Sequence, residues 1–596
     1  MINYQLAENL IDEASLDPEA GGSANGKPIW TLEQIAANLN RSGTKWGTTG
    51  VTSDGDASVL NFGFFNTQAE VAANGYTYTL NGVNYGLNEY FGFAAFTDAQ
   101  RAATREAFQN WDDVIAVSFQ ETSADQADMN FGNLTNRPGT QAYARLPSAT
   151  VSSNASVNAQ AYDIVGDVWV TATTASNFQL DEGLYGMNTL VHEIGHSLGL
   201  SHPGNYNFAP GFAVNYINGA EYAQDARNYT IMSYWNPRDL GSTPTGVPTR
   251  DFDWSLMSIA YGSTPMVHDI YAIQAMYGAD TTTRTGDTTY GFNSNADRDH
   301  FDFEETPWPT MSIWDAGGND TLDASGYAVT QVIDLTPGSL SSIGGVTYEQ
   351  ALETLTFEQV NANRAAAGSS PISREVYDAN MAALAAQPDY RGRLTDNVGI
   401  AYGAVIENAK GGSGADLIIG NSAVNLLVGN AGDDVLKGRE GGDRLDGGAG
   451  DDFLQGGDGF DFLTGGAGAD IFVMEVETTK SATKLGRISV DVALDFARGE
   501  DKIDLSGIDA DSSAEGDQAF TFVNSSRPGA GEVSVRHFGN VNAAEKALGL
   551  DLDGVAGKSP YGGQVSVLVG NVDGGEVDFS LVLFNRSSLG LGDLVL

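Results

Sequence analysis

Between Gly411 and Val473 the chain repeats itself every nine residues: GGSGADLII, GNSAVNLLV, GNAGDDVLK, GREGGDRLD, GGAGDDFLQ, GGDGFDFLT and GGAGADIFV. No other stretch restricts the fold so tightly. The pattern G-G-x-G-x-D-x-U-x belongs to calcium-binding parallel β-helices. Glycine takes positive φ without steric cost, so the backbone can turn sharply and aim carbonyl oxygens inward. One aspartate per repeat then bridges ions. The candidate calcium ligands are Gly412, Gly414 and Asp416, then Gly432 with Asp434, Gly441 with Asp443, Gly450 with Asp452, Gly459 with Asp461 and Gly468 with Asp470. The apolar positions Leu417, Leu426, Val435, Leu445, Phe453, Leu463 and Phe472, allowing a shift of one, are expected to form short strands filling a narrow core. The second repeat has Asn425 in place of aspartate and lacks two glycines, so its site is expected to be weak or empty. Without calcium the stacked carboxylates repel, and the region is expected to unfold.

A chain of 596 residues is too long for one core, and about three domains are expected. Its net charge of -47 argues against nucleic acid or an anionic membrane as partner and favours cations. There is no cysteine, which removes disulfides and cysteine-ligated zinc. Met1 to Glu13 has no basic start and no long apolar core, so it does not read as a secretory signal. No run of about twenty apolar residues is present, so no membrane span is expected. A monomer is expected.

The histidines supply the second constraint. The chain has six, and three fall within His192 to His202 with the spacing H-E-x-x-H-x-x-G-x-x-H, a zinc-protease signature. Tyr185 to Leu198 reads as a buried helix, placing His192 and His196 on one face where they can share a metal ion. Glu193 lies about 100° around that helix, beside the metal position without being a ligand. Gly199 permits a left-handed turn that returns His202 as third ligand. Three neutral imidazoles leave a fourth position to water, which is a catalytic arrangement. A chance match on a solvated helix is the competing reading, and the extra Gly and His at their required offsets weigh against it.

Further along, Met232 precedes Tyr234 by two residues and fits a Met-turn beneath the metal histidines. A phenol at Tyr234 can ligate zinc weakly or donate to the oxyanion of a tetrahedral intermediate. Elsewhere Thr31 is expected to cap a helix over Leu32 to Leu39. Thr97 and Asp98 open another through Trp111, with Ala102, Ala103, Ala107, Phe108 and Trp111 inward. Tyr76 to Leu80 and Tyr85 to Phe93 read as β-rich, and Val117 to Glu121 and Met129 to Gly132 as alternating strands. Gly139 to Pro147 reads as a strand whose Pro147 suits a sheet edge. Such an edge could hold a peptide by main-chain hydrogen bonds, or be simply structural. Asp269 to Met276 reads as a helix ending at Gly278. Residues from about Val346 to Arg393 carry helical patterning, read as a hairpin packed on the roll, with a gating or partner-docking role as the alternative. Val490 to Phe496 and Asp501 to Ile508 are β-patterned.

The extended zinc motif, the Met232-Ser233-Tyr234 turn, the WDAGGNDT segment at Trp314, the nonapeptides and the DKIDLSGID segment together resemble the serralysins, calcium-dependent secreted metzincins of Gram-negative bacteria. The resemblance spans roughly residues 25 to 345 and 396 to 596. It implies an α+β metzincin-like catalytic domain followed by a calcium-binding parallel β-roll. Expected boundaries are a leader or pro-segment over 1–24, the protease over 25–280, the roll over 281–480 and a β-rich C-terminal region over 481–596. The resemblance implies one catalytic zinc on His192, His196 and His202, with Glu193 as general base and Tyr234 assisting the oxyanion. It implies several structural calcium ions, including one at the mouth of the roll held by the carbonyls of Arg284, Gly286 and Thr288 with Asp315, Gly317, Gly318, Asp320 and Glu407. Protein or peptide substrates are implied, as is export by type I secretion machinery reading the terminal Asp593-Leu594-Val595-Leu596. The 346–393 stretch and the short leader depart from the family pattern. Two other readings stand beside the endopeptidase: a dedicated processor of one surface-layer or matrix protein, and a calcium-binding surface protein whose protease part is vestigial.

Overall fold

The computed structural model describes residues 16, 18, 21–47, 50–52, 58–76, 79–80, 83–84, 87–147, 164–204, 206, 215–237, 251–386, 392–476, 481–483, 486–510, 518–525, 527–548, 564–572, 577–584 and 589–596. Most of the expected 1–24 leader lies outside these residues, as do Thr77, Tyr78 and Tyr85 of the β-rich stretches.

The N-terminal part is mixed α/β. Thr31 and Gln34 cap the helix Leu32–Leu39 reciprocally, and Thr97 and Gln100 do the same for Asp98–Asp112. Ala103, Ala107, Phe108 and Trp111 are buried as expected, but Ala102 faces solvent. A six-stranded sheet runs in the order Ala142–Ala144, Val168–Thr171, Met129–Leu134, Val59–Phe64, Ser118–Glu121, with Phe93–Ala94 also paired to Met129–Leu134. Among the described residues the strand Ala142–Ala144 is an edge, antiparallel to its neighbour, whereas the interior pairs are parallel. Met129–Leu134 does not alternate; it is buried throughout. Its sheet is covered on both faces, with Phe131 against Phe108 on one side and Leu134 near Phe65 and Trp169 on the other. Tyr85 to Phe93 corrects another expectation, since Leu87–Gly92 is helical. There Glu89 is buried, accepting from the Tyr143 hydroxyl and Arg145, and this tertiary pairing overrides the β preference of the flanking aromatics.

The repeat region is a roll of two sheets with parallel strands, and one sheet runs on into the antiparallel strands Glu532–Phe538, Val565–Asn571 and Phe579–Phe584. Partner strands lie eighteen residues apart, as in Leu427↔Leu445 of one sheet and Leu436↔Leu454 of the other. Two repeats therefore make one full turn. The core is built from the eighth position of each repeat: Ile418, Leu427, Leu436, Leu445, Leu454, Leu463 and Phe472, all fully buried. This corrects the apolar register. Successive side chains in a strand face opposite ways, so Leu417, Val435 and Phe453 gather in a separate small cluster with Ile419, and Leu426 is 38% exposed. The ladder continues past the repeats through Lys502–Asp504, and Leu594–Val595 adds to it in parallel.

Residues 346–393 form three helices, Tyr348–Thr354, Phe357–Ala366 and Arg374–Ala385, rather than a hairpin. Their apolar faces (Leu355, Val360, Tyr377, Met381, Leu384) enclose Phe252, Trp254 and Met257 of the N-terminal part. The insertion is thus packed on the N-terminal part rather than on the roll alone. Among the described residues no helix is long and apolar enough to cross a membrane.

The register has a direct check. Leu445→Ala should lower roll stability by about 2–5 kcal/mol, whereas Leu426→Ala should change it by less than about 0.5 kcal/mol. Denaturant unfolding followed in calcium by circular dichroism measures both.

Candidate active site and calcium positions

The helix Tyr185–Leu198 carries His192, Glu193 and His196 and ends at Gly199, whose φ is +117°. The Leu200 amide donates back to the Gly195 carbonyl, closing the helix with a left-handed cap. A Cβ at Gly199 would also press on the Thr44 carbonyl and Met276, so glycine is required there by space as well as by φ. The turn brings His202 back to the helix. Nε2 of His196 lies 3.0 Å from Nε2 of His202, which lies 3.3 Å from Nε2 of His192.

Each Nδ1 faces a backbone carbonyl: His192 to Ile231 at 2.8 Å, His196 to Leu200 at 2.7 Å and His202 to Tyr206 at 2.9 Å. A carbonyl only accepts, so each Nδ1 carries the proton and each Nε2 presents a lone pair. Three lone pairs converging this closely repel one another unless a cation sits among them. Burial reinforces this, holding His192 down at about 3, His196 at about 4 and His202 well below the ordinary histidine range. Among the described residues this is the one group of three or more His, Asp and Glu side chains whose ligand atoms converge, all within 4.8 Å. The donor set fits zinc.

Glu193 is buried beside them, and its Oε2 has no hydrogen-bond partner. Burial pushes its carboxyl up to about 8, opposed by the Ala144 amide of the edge strand. The Tyr234 ring lies 4.5 Å from that of His202 and 6.1 Å from that of His192. A cleft of about 490 Å³ runs between the edge segment Gly139–Thr140–Gln141–Ala142 and the helix, lined also by His192, Glu193, Tyr234 and Arg227. The edge strand therefore borders His192 and Glu193.

Several residues that support this site escaped the motif reading. Buried Asp269 accepts from the Thr230 hydroxyl at 2.6 Å and from the amides of Ile231 (2.6 Å) and Met266 (2.9 Å), locking the turn whose carbonyl orients His192. Met232, by contrast, was expected from the Met-turn spacing, and it lies directly beneath Gly195, where a side chain would collide with its sulfur. Tyr206, which orients His202 through its carbonyl, donates its hydroxyl to Asp225 at 2.8 Å, and Ser233 donates to the same oxygen at 2.7 Å. Nothing in the sequence around Tyr206, Asp225 or Asp269 signals these roles.

Five aspartates of the roll, Asp434, Asp443, Asp452, Asp461 and Asp470, share one geometry, whereas Asp416 accepts from the Gln331 and Gly412 amides with its two oxygens. In the five, one oxygen accepts the amide of the residue eighteen positions earlier, as in Asp416 N to Asp434 at 2.7 Å and Asp434 N to Asp452 at 2.8 Å. The second oxygen of Asp434, Asp443, Asp452 and Asp461 is buried with no partner. It faces the first glycine of its repeat and the carbonyl one turn on, such as Gly429 and Gly447 for Asp434. Buried carboxylate oxygens without donors, each near a backbone carbonyl, fit calcium. The predicted glycines Gly432, Gly441, Gly450, Gly459 and Gly468 all have positive φ; Gly412 does not, and instead donates its amide to Asp416, while Gly414 stacks against the 328–330 backbone. Asn425 differs from the aspartates: its amide donates to the Glu407 and Asn421 oxygens and its carbonyl accepts from Asn421, so no cation is needed. The ladder extends beyond the repeats, with Asp491 accepting from Asp461 and Asp501 from Asp470.

At the mouth of the roll Asp320 accepts from the Thr288 amide at 2.7 Å and leaves Oδ2 buried without a partner, and Glu407 accepts from the Asp320 amide. Gly318 is held against the Gly286 carbonyl and Asp320. Asp315 accepts from the Tyr290 hydroxyl and the Gly317 amide. Arg284 has φ +50°, and its guanidinium reaches the other way to Asp113 at 2.8 Å.

Comparison with known proteins agrees with this geometry. The family profile "Matrixin" matches residues 78–209, and "Peptidase M10 serralysin C terminal" matches 279–368 and 380–565. Metallopeptidase AprA of Pseudomonas marginalis is 36% identical over 558 residues, covering 92% of this chain and 93% of the relative. The chain belongs to the serralysin family. Metalloprotease AprA of Pseudomonas entomophila and Serralysin B of Dickeya chrysanthemi are each 34% identical, covering 67% of this chain; the chain spans 66% of their length. Serralysins are metalloendopeptidases of the metzincin type, a family that implies a catalytic zinc.

The roll carboxyls give a pH prediction. Burial pushes Asp434 up to about 9 and Asp416, Asp443, Asp452 and Asp470 up to about 7. In the metal-free state the folded roll then binds more protons than the unfolded chain, so its stability falls as pH rises from about 4 to about 9. Thermal unfolding in chelator should show a higher midpoint at pH 5 than at pH 8, and added calcium should reverse the order.

Proposed function

We propose that this chain is a calcium-dependent zinc endopeptidase acting outside the cell after type I export. The observation that carries the reading is the convergence of three Nε2 lone pairs beside the unpartnered carboxyl oxygen of Glu193 in an open cleft. His192, His196 and His202 would hold the zinc, which when bound supplies a Lewis acid that brings the pKa of water to about 7. A substrate strand adds to the edge Ala142–Ala144 through main-chain hydrogen bonds, setting its scissile carbonyl across the helix. Glu193 takes the proton of the attacking water and passes it to the leaving amine. Tyr234 donates its phenol hydrogen to the carbonyl oxygen as negative charge develops.

Calcium reaches this chemistry through contacts. Asp113, closing the helix Asp98–Asp112, pairs with Arg284 and Arg298 of the roll's mouth, each at 2.8 Å. In that helix Trp111 donates to the Val191 carbonyl of the histidine helix at 3.1 Å. Ordering of Arg284, Gly286 and Thr288 around calcium thus braces the helix that carries the ligands. The domain limits follow the same division, with the protease ending near residue 280. A narrower reading, a processor of one surface-layer or matrix protein, draws support from the insertion at the protease face.

Glu193→Ala should lower casein hydrolysis by about 10²–10⁴-fold while bound zinc, measured by elemental analysis, stays unchanged; retained hydrolysis contradicts the assignment. Arg284→Ala should raise the calcium concentration needed for half-maximal hydrolysis in a calcium titration, with zinc content again unchanged.

A further inference from the structure

A second cavity of about 650 Å³ continues from the catalytic cleft, and Gln141, Tyr185 and Arg227 line both. Its far wall is built by Gln179, Tyr261 and Ser369, the last from the loop between two insertion helices. That loop is anchored. Gln179 Nε2 donates to Ser369 Oγ at 2.7 Å, and Arg364 donates to the Leu256 carbonyl at 2.6 Å and the Ser370 carbonyl at 2.6 Å. The insertion therefore lengthens the cleft with a fixed wall.

Arg227 stands at the junction. It is the one Lys or Arg among the described residues lining the two cavities, in a chain of net charge -47. Its Nε donates to the Ser233 carbonyl at 3.3 Å and Nη1 to Asn236 at 2.6 Å, and its guanidinium lies over the rings of Tyr185 (5.8 Å) and Tyr261 (5.3 Å). A guanidinium has five N–H donors, so the group is positioned but more than half of its donors remain for a ligand. A half-buried, oriented guanidinium selects a carboxylate.

We propose that this second cavity is an extended substrate subsite, walled by the helical insertion, that takes an acidic substrate side chain against Arg227. The inference rests on the endopeptidase reading above. Polarity follows from the edge strand. Antiparallel pairing is the more stable per residue, and a substrate antiparallel to Ala142–Ala144 has its C-terminal half at the Gln141 end. The acidic residue therefore lies on the C-terminal side of the scissile bond.

Peptides ending just past the scissile bond are compared with the same peptides extended C-terminally by a segment bearing Glu or Gln. The zinc- and calcium-loaded protein should cleave the Glu extension with kcat/KM about tenfold above the Gln extension. Arg227→Gln should abolish that ratio and Arg227→Lys should keep part of it. Ser369→Trp, which fills the far wall, should cancel the gain from extension relative to the short peptide. Unchanged ratios in Arg227→Gln, or a gain that Ser369→Trp leaves intact, overturn the proposal, as does a gain confined to N-terminal extensions. Binding of labelled Glu and Gln peptides to the Glu193→Gln variant, read by fluorescence anisotropy, separates the two readings. A Glu preference in binding without hydrolysis by the unmodified protein sinks the protease and keeps the subsite; equal binding with normal hydrolysis sinks the subsite alone.

Discussion

The site depends on three hydrogen bonds from histidine Nδ1 to backbone carbonyls, those of Ile231, Leu200 and Tyr206. They fix the tautomer, and through the tautomer they turn three side chains into one ligand set. Each carbonyl comes from a segment with its own reason to be rigid. Leu200 follows the left-handed cap at Gly199, Ile231 belongs to the turn pinned by Asp269, and Tyr206 is tethered to Asp225. Loss of any one would leave an imidazole free to rotate and the trio incomplete.

The roll obeys a related rule. Asp434, Asp443, Asp452 and Asp461 use one oxygen to satisfy the backbone one turn away and leave the other unpaired and buried. A fold that leaves such oxygens in its interior is not self-sufficient, because burying a carboxylate without a partner is costly. Protons or calcium must fill the gap. On the function proposed above, calcium does so at neutral pH, and the order of the roll is then conditional on the medium. On that proposal the salt bridge between Arg284 and Asp113 links the mouth of the roll to the part that carries the histidines.

What could be read directly from the sequence was what local spacing decides. The offsets of His192, His196 and His202 bring them together on a helix ended by glycine, and the nine-residue period specifies the roll. The helices at Leu32 and Asp98 were equally legible because their caps sit in the sequence beside them. Long-range partners were not. Asp269 lies about seventy residues beyond the histidines it serves, and nothing in its surroundings states that it grips the Met-turn. Leu87–Gly92 looked like a strand because its aromatics favour one, while the buried pairing of Glu89 with Tyr143 and Arg145 decides otherwise. The core register of the roll was ambiguous by one residue, since apolar residues occupy neighbouring positions in several repeats. Neither could the helical insertion be assigned a side from its pattern alone, because an amphipathic face says that it is covered but not by what.

The central claim is that the three Nε2 atoms share one zinc ion while each Nδ1 keeps its carbonyl. Anomalous diffraction at the zinc edge from crystals of the loaded protein tests this directly. The account predicts one strong peak about 2.0–2.1 Å from Nε2 of His192, His196 and His202, with Glu193 outside ligating distance. A peak elsewhere, a histidine bound through Nδ1, or Glu193 as a ligand would contradict it.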